Sequence, residues 1–166
     1  MEVISITSFL DYFERVRERT LRLIQVIPED VMDVSYKRGK FTIGDMLRHI
    51  AATERYMFAE NVAGRQSRYH GCGKELADGR QAILAYVNEM HRQSVAIFKT
   101  LDNDALQCKC ATPGGEITTW KWLRAMVEHE IHHRVELYIY LNLLDIATPP
   151  IFGLTEEEVQ ERSIEL

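Results

Sequence analysis

Apolar residues recur at helical spacing in four long stretches of the chain, and each stretch predicts an amphipathic helix. The first runs from about Ser8 to Ile27 on the stripe Phe9, Phe13, Val16, Leu23 and Ile27, and Pro28 stops it. The second opens at Thr42, where Asp45 completes a capping box, and Met46, Ile50, Thr53 and Met57 carry it towards Asn61. Gly64, Gly71 and Gly73 then break the pattern. A third helix follows from about Glu75 to Leu101, on Leu76, Ile83, Val87, Met90, Ser94, Ile97 and Leu101. Residues 102–118 form a connection in which Pro113-Gly114-Gly115 reads as a turn, with a short hairpin from about Cys108 to Ile117. The fourth helix runs from about Thr119 to Leu144, and after Pro149-Pro150 a second capping box, Thr155 to Glu158, starts a short last helix. Together these elements predict an all-α four-helix bundle. No run of β-branched residues recurs between the helices to support an α/β fold. Neither an internal repeat nor a low-complexity stretch divides the chain, so residues 1–166 are expected to form one domain.

Composition narrows the function. A chain of 166 residues suits one domain. At this size roughly 70% of the unfolded surface is buried, so folding alone requires neither a disulfide nor a metal. Apolar residues at 46% and charged residues at 27% exclude intrinsic disorder. A net charge of −5 gives no basic footprint for nucleic acid and no polybasic membrane anchor. No apolar run approaches the roughly 18 residues of a membrane span. The N-terminus, MEVISITSFLDYFERVRERT, lacks the basic-then-apolar layout of a signal peptide. Three cysteines, Cys72, Cys108 and Cys110, suit a reducing cytoplasm better than a disulfide framework. The expectation is a cytoplasmic protein with no nucleic-acid or membrane partner. Cys108-Lys109-Cys110 could be a soft metal site or a redox pair, but with no partnering Cys-x-x-Cys it reads as two ordinary thiols.

The candidate chemistry lies in the six histidines. The fourth helix reads Trp122, Met126, His129, His133, Leu137 and Tyr140 at helical spacing, so two imidazoles interrupt an apolar stripe. An i,i+4 pair lies about 40° apart around a helix and about 6 Å along it, so both rings can meet one ion. Two neutral imidazoles buried without partners would cost several kcal/mol in sum, and a shared metal removes that cost. His49 lies beside the Met46–Ile50–Thr53 stripe, and from a facing helix it would complete an open tripod. His49 alone also reads as an ordinary half-buried histidine. His132 points roughly 60° from His129 and 100° from His133 and stays off the tripod. His70 and His91 read as solvated.

His129-Glu130-Ile131-His132-His133 also spells H-E-x-x-H, the zincin protease motif, with Glu130 as general base. A zincin needs a third ligand downstream and a strand-rich lobe over its cleft. The chain offers no convincing sheet, so the bundle tripod ranks above the protease.

Three blocks carry a family resemblance. The first is Phe41-Thr42-Ile43-Gly44-Asp45-Met46-Leu47-Arg48-His49-Ile50-Ala51 with Glu54 following, and the second is His129 to Arg134. The third runs from Leu143-Leu144-Asp145 to Pro149-Pro150-Ile151-Phe152-Gly153. In order and over most of the chain, they resemble the DinB-like superfamily, also called the YfiT-like metal-dependent hydrolases. The resemblance implies an up-down four-helix bundle, commonly a homodimer. It implies a divalent metal, often nickel or zinc, on three histidines, which fall on His49, His129 and His133. Relatives include transferases that use bacillithiol, mycothiol or glutathione. The family name reflects DNA-damage induction and implies no DNA binding. The chain departs from the family where members often read Arg-Gly-Gln. Here the residues are Arg134-Val135-Glu136, and Glu136 shares the face of His129 and His133.

Two function classes follow. The first is a metal-dependent enzyme, a hydrolase or a low-molecular-weight-thiol S-transferase acting on a small molecule, because a divalent ion activates a bound water or thiol. Arg48, Arg55 and Arg134 are candidates to hold a thiol's charged arms, although each reads more simply as a solvated surface charge. The alternative is a non-catalytic metal or small-ligand binding protein. A purely structural metal fits less well, since structural zinc sites are usually closed by four protein ligands. The apolar tail at Ile151, Phe152 and Leu154 could pack on its own bundle or on a second copy.

Overall fold

The computed structural model describes residues 2–164. Helix α1 (Ile6–Gln25) begins after Ser5, whose hydroxyl accepts from the Ser8 N–H. Its stripe Phe9, Phe13, Val16 and Leu23 is buried, as is Ile27 just beyond its end. Helix α2 (Ile43–Thr53) opens on the expected capping box. The Asp45 N–H donates to Thr42 Oγ1 at 3.0 Å, and the Thr42 N–H donates to Asp45 Oδ2 at 3.0 Å.

The second helix does not run straight on to Asn61. Glu54–Phe58 form a π-helical turn that leads into α3 (Ala59–Val62). A wider turn rotates everything after it relative to a regular helix. Met46, Ile50 and Thr53 are therefore buried as the stripe predicts, whereas Met57 is only half-buried and Phe58 takes the core position.

Helix α4 (Arg80–Phe98) begins at Arg80 rather than Glu75. Gly79 precedes it at φ 78°, a left-handed conformation that glycine alone adopts without cost. From the connection between α1 and α2, the Glu29 carboxylate accepts from the Arg80 N–H at 3.0 Å and caps the new start. Ile83, Val87, Met90 and Ser94 are buried, and Phe98 rather than Ile97 closes the stripe. The expected hairpin pairs β1 (Lys109–Thr112) with β2 (Gly115–Thr118), Cys110 opposite Ile117. Helix α5 (Thr119–Leu143) follows. Helix α6 (Glu156–Ile164) opens on the second capping box, Thr155 with Glu158.

Helix α1 packs against α4 and α5, and α2 packs against the same two. The core falls into two clusters. Leu23, Met46, Ile83 and Leu137 belong to one, and Phe9, Phe58, Phe98 and Leu123 to the other. Helices α1 and α5 pass from the second cluster to the first, while α4, and α2 continued through the π turn into α3, pass from the first to the second. The pairs α1/α4 and α2/α5 are therefore antiparallel, while α2 and α4 lie side by side in parallel. Parallel neighbours need a return segment, which here is residues 64–79. Its backbone is fastened along α2: the Arg68 N–H donates to the Tyr56 carbonyl at 2.7 Å, and Arg48 donates to the carbonyls of Cys72 at 2.8 Å and Ala77 at 2.9 Å. Loop carbonyls next to a core need such donors. Arg48 is thus not the solvated charge the sequence suggested. It is 1% exposed and ties the return segment down.

Between the two clusters α1, α2, α4 and α5 contribute polar side chains. They are Arg17 and Thr20 of α1, Thr53 and Glu54 at the end of α2, Ser94 of α4, and Glu130 and Arg134 of α5, all buried. This polar waist positions the site. Among the described residues no helix is long and apolar enough to cross a membrane.

Candidate metal centre

The antiparallel pair α2/α5 brings three imidazoles together at the waist. One ring nitrogen from each of His49, His129 and His133 lies within 4.8 Å of the others. His49 Nε2 and His129 Nε2 are 3.0 Å apart. The ring centroids are separated by 4.9 Å (His49–His129), 4.8 Å (His49–His133) and 4.5 Å (His129–His133). Helical spacing puts His129 and His133 one turn apart on α5, and α2 supplies His49 from across the interface. His132 points outward, its side chain 68% exposed.

The local electrostatics keep two of these rings neutral. Burial, then the neighbouring His133, push His49 down to about 4, with Glu136 opposing. Burial, then His133, His49 and His132, push His129 down to about 3. At neutral pH both rings offer a lone pair. Tyr69 OH lies 2.7 Å and Thr53 Oγ1 3.3 Å from His49 Nδ1. Glu136 Oε2 lies 2.6 Å from His133 Nδ1. If Nε2 of each ring is left to bind, the His49 Nδ1–H donates to the Tyr69 oxygen and the His133 Nδ1–H to Glu136. Metal-binding imidazoles are commonly oriented by partners of this kind. Burial, then Cys72, push the Tyr69 phenol up to about 12, so it stays protonated. Phe41 packs 5.1 Å from His49, Phe58 5.9 Å from His129 and Trp122 4.5 Å from Phe58, ring centre to ring centre. The donor set, three imidazoles on an apolar wall with two rings held neutral, fits a divalent transition ion.

Behind the histidines lies a charged network. Arg17 is 1% exposed and pairs with Glu54 and, at 3.0 Å, with Glu130. Thr20 Oγ1 donates to Glu130 Oε1 at 2.6 Å, and Arg134 donates to the Val16 carbonyl at 3.0 Å. Glu130 is therefore engaged on the α1 side and 2% exposed. It is not a free base beside His129 and His133, as the zincin reading requires.

Three expectations of solvated residues are corrected here. His91 is not solvated: its side chain is 12% exposed, with Nδ1 3.1 Å from Glu54 and Nε2 3.2 Å from Glu14. Burial pulls its basicity down, but the hydrogen bond and charge of Glu54 outweigh that, and the net shift is upward. Arg134 is 5% exposed within the network. Arg55, its side chain 12% exposed, pairs with the buried Glu60, which Arg65 and Arg68 also hold. In each case a buried carboxylate or carbonyl supplies the partner that makes burial of the charge tolerable. His70 is exposed, as expected. Cys72, Cys108 and Cys110 are free thiols, with Cys108 exposed and Cys110 buried.

Arg17 and Tyr69 are not among the residues that the sequence singles out. Arg17 had a signal: Phe13, Arg17, Thr20 and Ile24 are spaced as one inward stripe, so the charge had to be paired. Tyr69 had none, because it lies in the return segment, where no periodicity predicts which side chain meets His49.

A bundle with a histidine cluster between two adjacent antiparallel helices defines a class of helical proteins with a candidate metal site. The DinB superfamily model matches residues 12–137, and the chain belongs to that superfamily. No curated protein matches the sequence. Among solved structures the chain is similar to a DinB-like protein from Bacillus cereus ATCC 10987, at 14% identity and TM-score 0.76, covering 89% of this chain and 97% of that one. It is also similar to YfiT from Bacillus subtilis, described as a probable metal-dependent hydrolase with an unusual four-helix bundle topology. That match has 19% identity and TM-score 0.66, covering 89% of this chain and 93% of that one. A third similar structure is the mycothiol-dependent maleylpyruvate isomerase, at 14% identity and TM-score 0.61. The match covers 81% of this chain but only 63% of the isomerase.

Proposed function

We propose that the protein is a divalent-metal-dependent enzyme acting on a small molecule, its ion held by His49, His129 and His133. The observation that carries this reading is the convergence of the three ring nitrogens within 4.8 Å. Such an ion, nickel or zinc in this reading, supplies a Lewis acid that lowers the pKa of a bound water or thiol and polarises an electrophile. The rest is the chain's own work. Burial keeps His49 and His129 neutral, and Tyr69 and Glu136 fix which nitrogen of His49 and His133 stays free. Phe41, Phe58 and Trp122 present an apolar wall that limits water around the reacting group.

Hydrolysis and thiol transfer both use this chemistry. The likeness to YfiT supports the first, and the likeness to the mycothiol-dependent isomerase supports the second. In this reading the protein works in the cytoplasm as a homodimer. The dimer draws support from the exposed apolar residues Val135, Ile139 and Leu143 of α5, together with Phe152, which is 81% exposed.

The test is metal analysis of the untagged full chain by equilibrium dialysis. Replacing His49, His129 or His133 with Ala should abolish stoichiometric binding, and His132→Ala should leave it intact. Loss of the ion in His132→Ala alone would overturn the assignment. A screen of electrophiles with water alone and with several low-molecular-weight thiols then separates hydrolase from transferase.

A further inference from the structure

His133 belongs to two groups of potential ligands. One is the inner tripod. The other is His132, His133 and Glu136, which also present one ligand atom each within 4.8 Å of one another. In this outer group His133 Nδ1 lies 2.6 Å from Glu136 Oε2, and His132 Nε2 lies 3.5 Å from Glu136 Oε1. The three side chains grade from solvent inward, at 68% exposed for His132, 39% for Glu136 and 12% for His133. Two imidazoles and a carboxylate on one exposed helical turn form a donor set suited to the same first-row ions as the tripod.

We propose that His132, Glu136 and His133 Nδ1 form an outer cation site through which the ion enters and leaves the inner tripod. The proposal rests on the tripod reading. A neutral imidazole has one lone pair and one N–H. With the lone pair on Nδ1, His133 serves the outer group. With the N–H on Nδ1, donated to Glu136, its Nε2 serves the inner one. His133 cannot complete both sites at once, so occupancy of the two is exclusive and the ring's change of tautomer hands the ion from one to the other. No net protonation accompanies the exchange. Glu136 contributes the anionic ligand that an exposed entry site needs to attract a cation.

A transit site speeds passage in both directions and leaves the final affinity alone. Stopped-flow mixing of cobalt(II) with the metal-free full chain, read by visible absorption, tests this. In His132→Ala, a surface change, uptake and chelator-driven release should both slow by the same factor, about tenfold, within the range over which related association rates vary. The equilibrium affinity should not change. Rates equal to wild type would overturn the proposal. In His49→Ala/His129→Ala, the outer group should retain weak cobalt(II) binding that adding His132→Ala removes. Absence of that weak binding would also overturn it. If the double variant instead binds cobalt(II) as tightly as wild type, the tripod reading itself fails, and the relay with it.

Discussion

Arg17 shows how much one residue can carry at the waist. Its guanidinium is buried with Glu54 and Glu130 as counter-ions. Burial works against its charge, Glu130 and then Glu54 outweigh that, and the group is held above its ordinary value. Arg17→Met keeps the length and removes the charge, leaving two buried carboxylates facing each other. Removing one partner of a buried pair costs about 3–5 kcal/mol. Urea unfolding should show a loss of that order, and a loss under about 1 kcal/mol would mean that water or rearrangement replaces the guanidinium. Tyr69 acts on the site rather than the fold. Tyr69→Phe removes the oxygen 2.7 Å from His49 Nδ1, and loss of such an outer partner weakens metal binding by about 10–100-fold. Competition against a chromophoric chelator measures it, and unchanged affinity would mean that Thr53 alone orients the ring. That His129 and His133 share one face was legible in the sequence from their spacing inside an apolar stripe, whereas His49 alone read as an ordinary half-buried histidine and only the family resemblance set it beside them. Tyr69 was not legible, because its contact depends on how an aperiodic segment folds back.

At the scale of elements, capping boxes and stripes were readable and the π turn was not. Thr42 with Asp45, and Thr155 with Glu158, are local chemistry, and the chain forms them where the residues stand. The π turn at Glu54–Phe58 accompanies tertiary partners: Glu54, its first residue, meets Arg17 from α1 and His91 from α4. A helical wheel drawn without those partners turns Met57 inward. The structure puts Phe58 there instead, 3% exposed. Phe58→Ala should therefore cost about 3–5 kcal/mol, as for a large aromatic in a packed core. Met57→Ala should cost clearly less. Equal losses in chemical denaturation would place Met57 in the core and remove the register shift. The start of α4 teaches the same lesson from the other side. Asp78-Gly79 was a turn signal in the sequence, but the stripe through Leu76 obscured it.

Over the whole molecule three histidines have shifted basicity, and His49 and His129 act on stability in the opposite sense to His91. His49 and His129 sit below the ordinary imidazole value of 6.5, at about 4 and about 3. Above 6.5 they are neutral in both folded and unfolded chains and contribute no pH dependence. As pH falls below 6.5 the unfolded chain takes up protons that the folded one refuses, so the metal-free protein loses stability on that side. His91 works the other way. It is half-enclosed by Glu54, Glu14, Arg17 and Phe13, and its folded value is raised. Its charged form is favoured by folding, so its contribution is fully present below 6.5 and is lost as pH rises through the raised folded value. Thermal unfolding of the metal-free chain should then give a Tm that falls from pH 6.5 towards pH 4, because of His49 and His129. The Tm should also decline on the alkaline side, because of His91. His91→Gln removes the alkaline decline and leaves the acid limb, since the introduced amide cannot titrate while His49 and His129 still do. A variant that kept the alkaline decline would assign it to another group. A variant that lost the acid limb would show that His91, not the pair at the centre, is the group charging there.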